Sequence, residues 1–177
     1  MYQPSVPFFK EKKQDQQDHS LYKTLVLAAY ELHTPQNAGA LIRLAGNIGV
    51  KEVWLVYDKD FNLRTGKIER VAQSSLSHVS YKIMTTTDFI AACKGFNLVA
   101  LETTTQSQNI FTNNLPSQCV LLAGNERFGI PNHLLQQCKS SVFVPLPGQT
   151  ASMNVSHAMT VAAFEWMRQH KAELMNM

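Results

Sequence analysis

The sequence contains no apolar run long enough to cross a lipid bilayer. Apolar segments such as Val53–Tyr57 and Val120–Ala123 hold only five and four residues, whereas a membrane-spanning helix needs about 20. Residues 1–20 also lack the apolar core of a secretory signal peptide. These absences lead us to expect a protein that works in the cytoplasm without a membrane partner.

Cysteine is scarce, and the common metal and nucleotide signatures are missing. The three cysteines are widely spaced, which favours buried free thiols in a reducing compartment over a disulfide framework. The six histidines show no H-E-x-x-H spacing, and no C-x-x-C pair occurs. Neither G-x-G-x-x-G nor a Walker loop is found. We expect no metal site, and enzymes that use nicotinamide or a nucleoside triphosphate are disfavoured.

The chain also lacks a dense run of Lys and Arg. Its formal net charge is only +3, which permits a nucleic-acid partner without requiring one. The choice of partner must therefore come from motifs rather than from bulk charge.

The order of apolar and helical patterns indicates one α/β domain. Residues 1–20 are polar and aperiodic, so we predict a flexible tail, followed by a single domain over residues 21–177. Within it, short apolar runs alternate with helical patterns, which is typical of a mostly parallel sheet with helices on both faces. The predicted strands are Leu25–Ala29, Val53–Val56, Ser77–Tyr81, Leu98–Leu101, Val120–Ala123 and Val142–Val144. The predicted helices are Ala38–Ile48, Ile68–Ser75, Thr87–Cys93, Pro131–Cys138 and Val155–His170.

Three polar loops follow three of the predicted strands. Motif 1, His33–Arg43, has the pattern N-x-G-x-x-x-R and runs into a helix. Motif 2, Gly124–Pro131, has the pattern G-x-E-x-x-G, and motif 3, Val144–Ser156, joins the last strand to the last helix. Each loop alone is typical of an ordinary turn, because Pro, Gly, Ser and Asn mark turns in most proteins. Their common position after apolar runs indicates one shared site.

In this order, the three motifs resemble those of the SpoU-type (TrmH-like) RNA 2′-O-ribose methyltransferases of the SPOUT class. The resemblance covers the chain from about Leu25 to Arg168. It implies a homodimeric enzyme that transfers a methyl group from S-adenosylmethionine to a ribose 2′-hydroxyl of tRNA or rRNA. It also implies a C-terminal trefoil knot, which general rules of topology would not suggest.

The resemblance assigns roles to particular residues. It implies a donor pocket formed after the last three strands, and it implies a catalytic group drawn from all three motifs. The expected donor-binding residues are Leu101, Thr103, Gly124, Val144, Leu146, Ser152 and Met153. The expected catalytic residues are Asn37, Arg43, Glu126, Ser152 and Asn154.

Elementary chemistry refines some of these roles. The first helix begins near Asn37 and Gly39, where free amides and the helix dipole favour an anion such as phosphate. Arg43 is a poor base because arginine pKa values exceed about 12, so we expect it to hold an RNA phosphate. The family resemblance also implies that Glu126 hydrogen-bonds to the motif around Asn37, and we expect Asn154 to hydrogen-bond to Glu126.

Two other functions remain open at this stage. A catalytically silent RNA-binding or assembly protein could keep the same fold, and a SPOUT enzyme could modify a base instead of a ribose. The apolar face of Val155–His170, with Trp166, fits either a dimer surface or a buried core.

Overall fold

A computed structural model describes residues 24–58 and 63–175, with side chains as far as residue 170. The predicted tail of residues 1–20 lies outside the described residues. The described chain contains a seven-stranded sheet in which every pairing is parallel, in the order β3-β2-β1-β6-β4-β7-β5. The strands are β1 (Leu25–Tyr30), β2 (Glu52–Val56), β3 (Ser80–Met84), β4 (Asn97–Leu101), β5 (Gln108–Asn109), β6 (Cys119–Ala123) and β7 (Ser140–Phe143).

Helices cover both faces of this sheet, as predicted. They are α1 (Pro35–Ile48), α2 (Thr65–Ala72), α3 (Thr86–Ala92), α4 (Asn132–Leu135) and α5 (Val155–Met175), and a 3₁₀ helix occupies Gln73–Ser77. The central strand β6 is buried along its whole length, which explains its continuous apolar sequence. Its Leu121 joins the core beneath α1 and α5, whereas Leu122 joins the core beneath α3 and α4.

The sheet order creates a switch point beside β1. The chain proceeds from β1 to β2 and β3 on one side, and later places β6, β4 and β7 on the other. Ligands of open α/β sheets bind outside the carboxyl ends of strands at such a point. The three motifs follow β1, β6 and β7, so the topology collects them at this edge.

The predicted strand Ser77–Tyr81 is wrong by three residues, because β3 is Ser80–Met84. Ser77 instead belongs to the 3₁₀ helix, where its hydroxyl donates to the Ser74 carbonyl at 2.7 Å. As an edge strand, β3 is half exposed, so burial imposes little apolar pattern on its sequence.

Other boundaries also moved. The predicted helix Pro131–Cys138 shortens to α4, with Pro131 as its N-cap, because the Gln137 and Cys138 amides bond three residues back rather than four. The helix predicted over Ile68–Ser75 begins earlier and ends at Ala72. Strand β5 was not predicted, since two residues are too few to carry a pattern.

The apolar face of α5 belongs to the core. Trp166 is fully buried, and its indole N–H donates to the Pro116 carbonyl at 2.9 Å. Gln169 binds the same segment through the Leu115 amide and the Asn113 carbonyl. Among the described residues, no helix has the length and apolarity to span a membrane.

Candidate functional site

A cavity of about 410 Å³ lies at the carboxyl ends of β4, β6 and β7. This volume falls in the range of small-molecule and cofactor sites. Motifs 2 and 3 supply most of its walls, together with the segment that follows β4. All seven residues that the sequence assigned to donor binding line it, namely Leu101, Thr103, Gly124, Val144, Leu146, Ser152 and Met153.

A hydrogen-bonded chain of three side chains connects the three motifs. The Asn37 amide nitrogen donates to Glu126 Oε1 at 2.6 Å, and Asn37 Oδ1 accepts from Asn154 Nδ2 at 3.1 Å. Asn37 therefore stands between the other two, whereas the sequence had suggested a direct bond from Asn154 to Glu126. Glu126 and Asn154 line the cavity, so the chain of bonds runs along its wall.

Glu126 occupies the amino end of α1. Its carboxylate accepts from the His33 amide at 2.7 Å and from the Thr34 amide at 3.2 Å. The anion that the helix amino end favours is thus a side chain of the protein itself, and not the phosphate that the sequence suggested. Asn37 and Gly39 are buried at this position.

These contacts stabilise the ionised form of Glu126. Partial burial raises the pKa of its carboxyl group, but the hydrogen bonds from the His33 amide and the Asn37 side chain outweigh burial. The net result is a pKa below the ordinary value. The Glu126 carboxylate therefore serves as a hydrogen-bond acceptor for the His33 amide and the Asn37 side chain.

Asn154 joins the cavity to the last helix. Its Oδ1 accepts from the Ser156 amide at 2.9 Å and from the Ser156 hydroxyl at 2.6 Å. This is the N-cap pattern expected where a polar loop enters a helix. With Oδ1 committed to α5 and Nδ2 to Asn37, the amide orientation of Asn154 is determined by both neighbours.

Glu102 is a site residue that the sequence analysis missed. It follows β4 directly, lines the cavity, and accepts from the Ile130 amide at 2.8 Å and the Thr103 amide at 2.9 Å. It therefore ties the end of motif 2 to the end of β4. A carboxylate immediately after a buried strand was the available signal.

The glycines of motif 2 lie where a side chain would clash with neighbouring atoms. A Cβ on Gly124 would lie 2.2 Å from the carbonyl carbon of Gly129, so the loop can close on itself only with glycine here. Gly129 has φ of +67° and packs against the Glu102 carboxylate. Both positions are determined by the loop itself before any ligand is considered.

Arg43 is the one predicted catalytic residue that stands apart. It is exposed on α1 and is not among the residues that line the cavity. Its Nη1 donates to Gln73 Oε1 at 2.7 Å. The structure thus brings together Asn37, Glu126, Ser152 and Asn154, and places Arg43 on a neighbouring surface.

Comparison with known proteins assigns the chain to a family. The model of the SpoU rRNA Methylase family matches residues 24–164, which contain all three motifs. The chain belongs to this family. The sequence resemblance to SpoU-type enzymes is thereby confirmed.

Three relatives illustrate the similarity. The tRNA (guanosine(18)-2'-O)-methyltransferase of Escherichia coli (strain K12) is 29% identical over 151 residues, which are 83% of this chain and 64% of that enzyme. An AdoMet-bound rRNA methyltransferase from Sinorhizobium meliloti has a TM-score of 0.73 at 25% identity, covering 81% of this chain and 56% of that chain. A structure concerning the 2-OH methylation of C/U34 on tRNA has a TM-score of 0.74 at 27% identity. The match covers 85% of this chain and 99% of that chain.

The length of these SpoU relatives differs from that of this chain. The chain spans about half the length of the bacterial curated relatives it matches, at 43%, 58% and 64%.

Proposed function

We propose that this chain is an S-adenosylmethionine-dependent RNA methyltransferase that modifies a ribose 2′-hydroxyl of tRNA or rRNA. The bonded chain Glu126–Asn37–Asn154 beside the cavity carries this proposal, because it joins all three family motifs at one place. The names of the relatives supply the reaction class.

The cavity has the chemistry that the methyl donor requires. Leu101, Val144 and Leu146 offer apolar surface for an adenine and ribose, while Gly124 adds backbone to the cavity wall. Glu102 and Glu126 contribute negative charge that complements a cationic ligand. When bound, S-adenosylmethionine supplies an electrophilic methyl group on a sulfonium centre. The residues of the cavity hold that group toward the acceptor, and such positioning can supply about 7–11 kcal/mol.

In this proposal, Arg43 contacts the RNA that accepts the methyl group. Its exposed guanidinium binds an RNA phosphate, because its planar set of five N–H donors can hydrogen-bond to two phosphate oxygens at once. That phosphate or a nearby group, rather than the arginine, then takes the 2′-hydroxyl proton, because arginine stays protonated.

We further propose that the protein acts as a homodimer. Arg43 is absent from the cavity of its own chain, so a second copy is a suitable source of the guanidinium. Phe164 on α5 is 51% exposed, and it replaces Trp166 as the candidate apolar contact between copies.

The trefoil knot stays a prediction, supported by the hydrogen bonds that α5 makes to residues 113–116. The free cysteines of the described chain favour a reducing, cytoplasmic setting.

The test combines donor binding with methyl transfer. Donor affinity is measured by calorimetry, and labelled methyl incorporation is followed separately into bulk tRNA and bulk rRNA, with digestion to nucleosides and mass analysis. We expect 2′-O-methylated nucleosides from one RNA class and loss of transfer in Arg43→Ala with donor affinity unchanged.

The alternatives give different results in the same experiment. A base-methylated nucleoside would replace the ribose assignment with base chemistry. Donor binding without transfer to any RNA would favour the catalytically silent RNA-binding protein. Absence of donor binding would refute the proposed pocket.

A further inference from the structure

Phe128 is the most exposed large apolar side chain among the residues that the structure describes. It is 86% exposed, whereas Phe164, Phe111 and Ile83 are 51%, 49% and 43% exposed. A single exposed apolar residue is common on protein surfaces and carries no meaning alone. Its backbone support and its location distinguish Phe128 from the others.

The turn that carries Phe128 is rigid. Asn125 and Gly129 exchange backbone hydrogen bonds of 3.1 and 2.9 Å, which close a loop of three residues. Asn125 Oδ1 accepts from the Arg127 and Phe128 amides at 2.9 and 3.2 Å, and its Nδ2 donates to the Glu31 carbonyl. The ring is therefore held out into solvent by a fixed backbone, which lowers the entropy lost when a ligand stacks on it.

The same turn forms the rim of the cavity. Residues on both sides of Phe128, Arg127 and Gly129, line the cavity directly. In the proposed function, a ribose whose 2′-hydroxyl meets a donor in the cavity brings a nucleobase close to the cavity rim. Phe128 is an exposed aromatic side chain on the part of that rim formed by motif 2.

Glu126, Arg127 and Phe128 are three consecutive exposed residues of this turn. The Glu126 carboxylate is engaged by hydrogen bonds at the amino end of α1. Arg127 and Phe128 follow it, so a cation and an aromatic ring lie side by side on the surface. Proteins that bind single-stranded nucleic acids combine aromatic rings with basic side chains. A base stacks on the ring, and the phosphate lies near the cation.

We propose that Phe128 is a stacking platform for an unpaired nucleobase at or beside the methylated nucleotide, with Arg127 facing the adjoining phosphate. This inference rests on the proposed function and narrows it, because stacking requires a base outside a duplex. The substrate is then a loop, bulge or end of RNA rather than a continuous helix.

Kinetics provide the first test. Phe128→Ala should raise the KM for RNA about 5- to 150-fold while leaving the donor affinity unchanged. Phe128→Trp should keep the wild-type KM, whereas Phe128→Leu, which is apolar but has no ring, should resemble the alanine variant. Phe111→Ala removes another exposed ring that is outside the cavity lining and should leave the KM unchanged.

Fluorescence provides a test that does not depend on activity. The native Trp54 and Trp166 are 5% and 0% exposed, so Phe128→Trp adds an exposed reporter. Its emission should be quenched by a short single-stranded RNA and not by the same sequence as a duplex. Phe111→Trp, examined in parallel, should respond to neither.

The possible results separate the proposals. If wild type methylates RNA and Phe128→Ala keeps its KM, the stacking platform is refuted while the proposed function stands. If wild type methylates no RNA, the function fails, and quenching in Phe128→Trp still decides whether a base stacks there. If Phe128→Ala dissociates a dimer in sedimentation while Phe128→Leu does not, Phe128 is a subunit contact and the inference is overturned.

Discussion

Arg43 is bonded to a residue with a strained backbone. Its Nη1 donates to Gln73 Oε1 at 2.7 Å, and Gln73 has φ of +50° where α2 meets the 3₁₀ helix. Residues other than glycine rarely adopt this backbone conformation, which costs roughly 1–3 kcal/mol. The structure thus retains an unfavourable backbone at the residue that orients the predicted catalytic arginine.

Substitution of Gln73 can separate this strain from the hydrogen bond. Gln73→Gly and Gln73→Ala both remove the acceptor of Arg43, but only glycine relieves the backbone. We expect Gln73→Gly to be more stable than Gln73→Ala by about 1 kcal/mol or more in urea unfolding. Methyl transfer should fall to the same extent in both. Equal stability of the two variants would show that the strain at Gln73 is negligible.

The Glu126 carboxylate should make stability depend on acid pH. A carboxyl group with a lowered folded-state pKa adds stability above its unfolded pKa, and this stability is lost as pH falls through the folded value. Glu126→Gln has no such charge and presents an amide N–H to donors that need an acceptor. We expect Glu126→Gln to be less stable than wild type at pH 7, with the difference shrinking below about pH 4.5. Urea unfolding at several pH values measures it, and a constant difference would contradict the lowered pKa.

Asn37 should tolerate only an amide. It is 7% exposed, and it donates to Glu126 while accepting from Asn154. Asn37→Asp sets a second carboxylate against Glu126, so stability at pH 7 should fall and recover partly on acidification. Asn37→Leu removes the acceptor of the Asn154 amide and one of the donors to Glu126, at a cost of about 1–3 kcal/mol. Leu should show no acid recovery, and an acid recovery common to both variants would argue against charge repulsion as the cause.

The glycine of motif 1 should be required for helix packing. A Cβ on Gly39 would lie 2.6 Å from the Ile68 carbonyl oxygen and from Val71 Cβ, so α1 could not pack this closely on α2. Gly39→Ala should therefore cost about 1–3 kcal/mol. Gly66→Ala is the matched control, because a Cβ there meets nothing within 4 Å, and it should stabilise α2 by about 0.5–1 kcal/mol. Thermal unfolding of both variants checks the pair, and equal effects would remove the packing argument.

Much of the fold was predictable from local sequence. Strands β1, β2, β4 and β6 are buried on both faces, so their apolar runs are continuous and their identification needs no distant information. The long helices α1 and α5 were predicted for a similar reason, since each must present an apolar face to the sheet. The errors fell on α2, β3, α4, β5 and β7, which are short or lie at an edge, where burial imposes little pattern.

The candidate site divides in the same way. Local sequence located the three motifs, because the loop after each strand carries its own polar signature. The family resemblance of those motifs then implied the seven residues that line the cavity. Only the folded chain joined Asn37 to Asn154, which are 117 positions apart, and placed Glu126 at the amino end of α1. It also placed Glu102 behind motif 2 and Arg43 outside the cavity of its own chain. Those relations depend on which strands lie side by side and how closely α1 and α2 pack, and neither property is written in any short stretch of sequence.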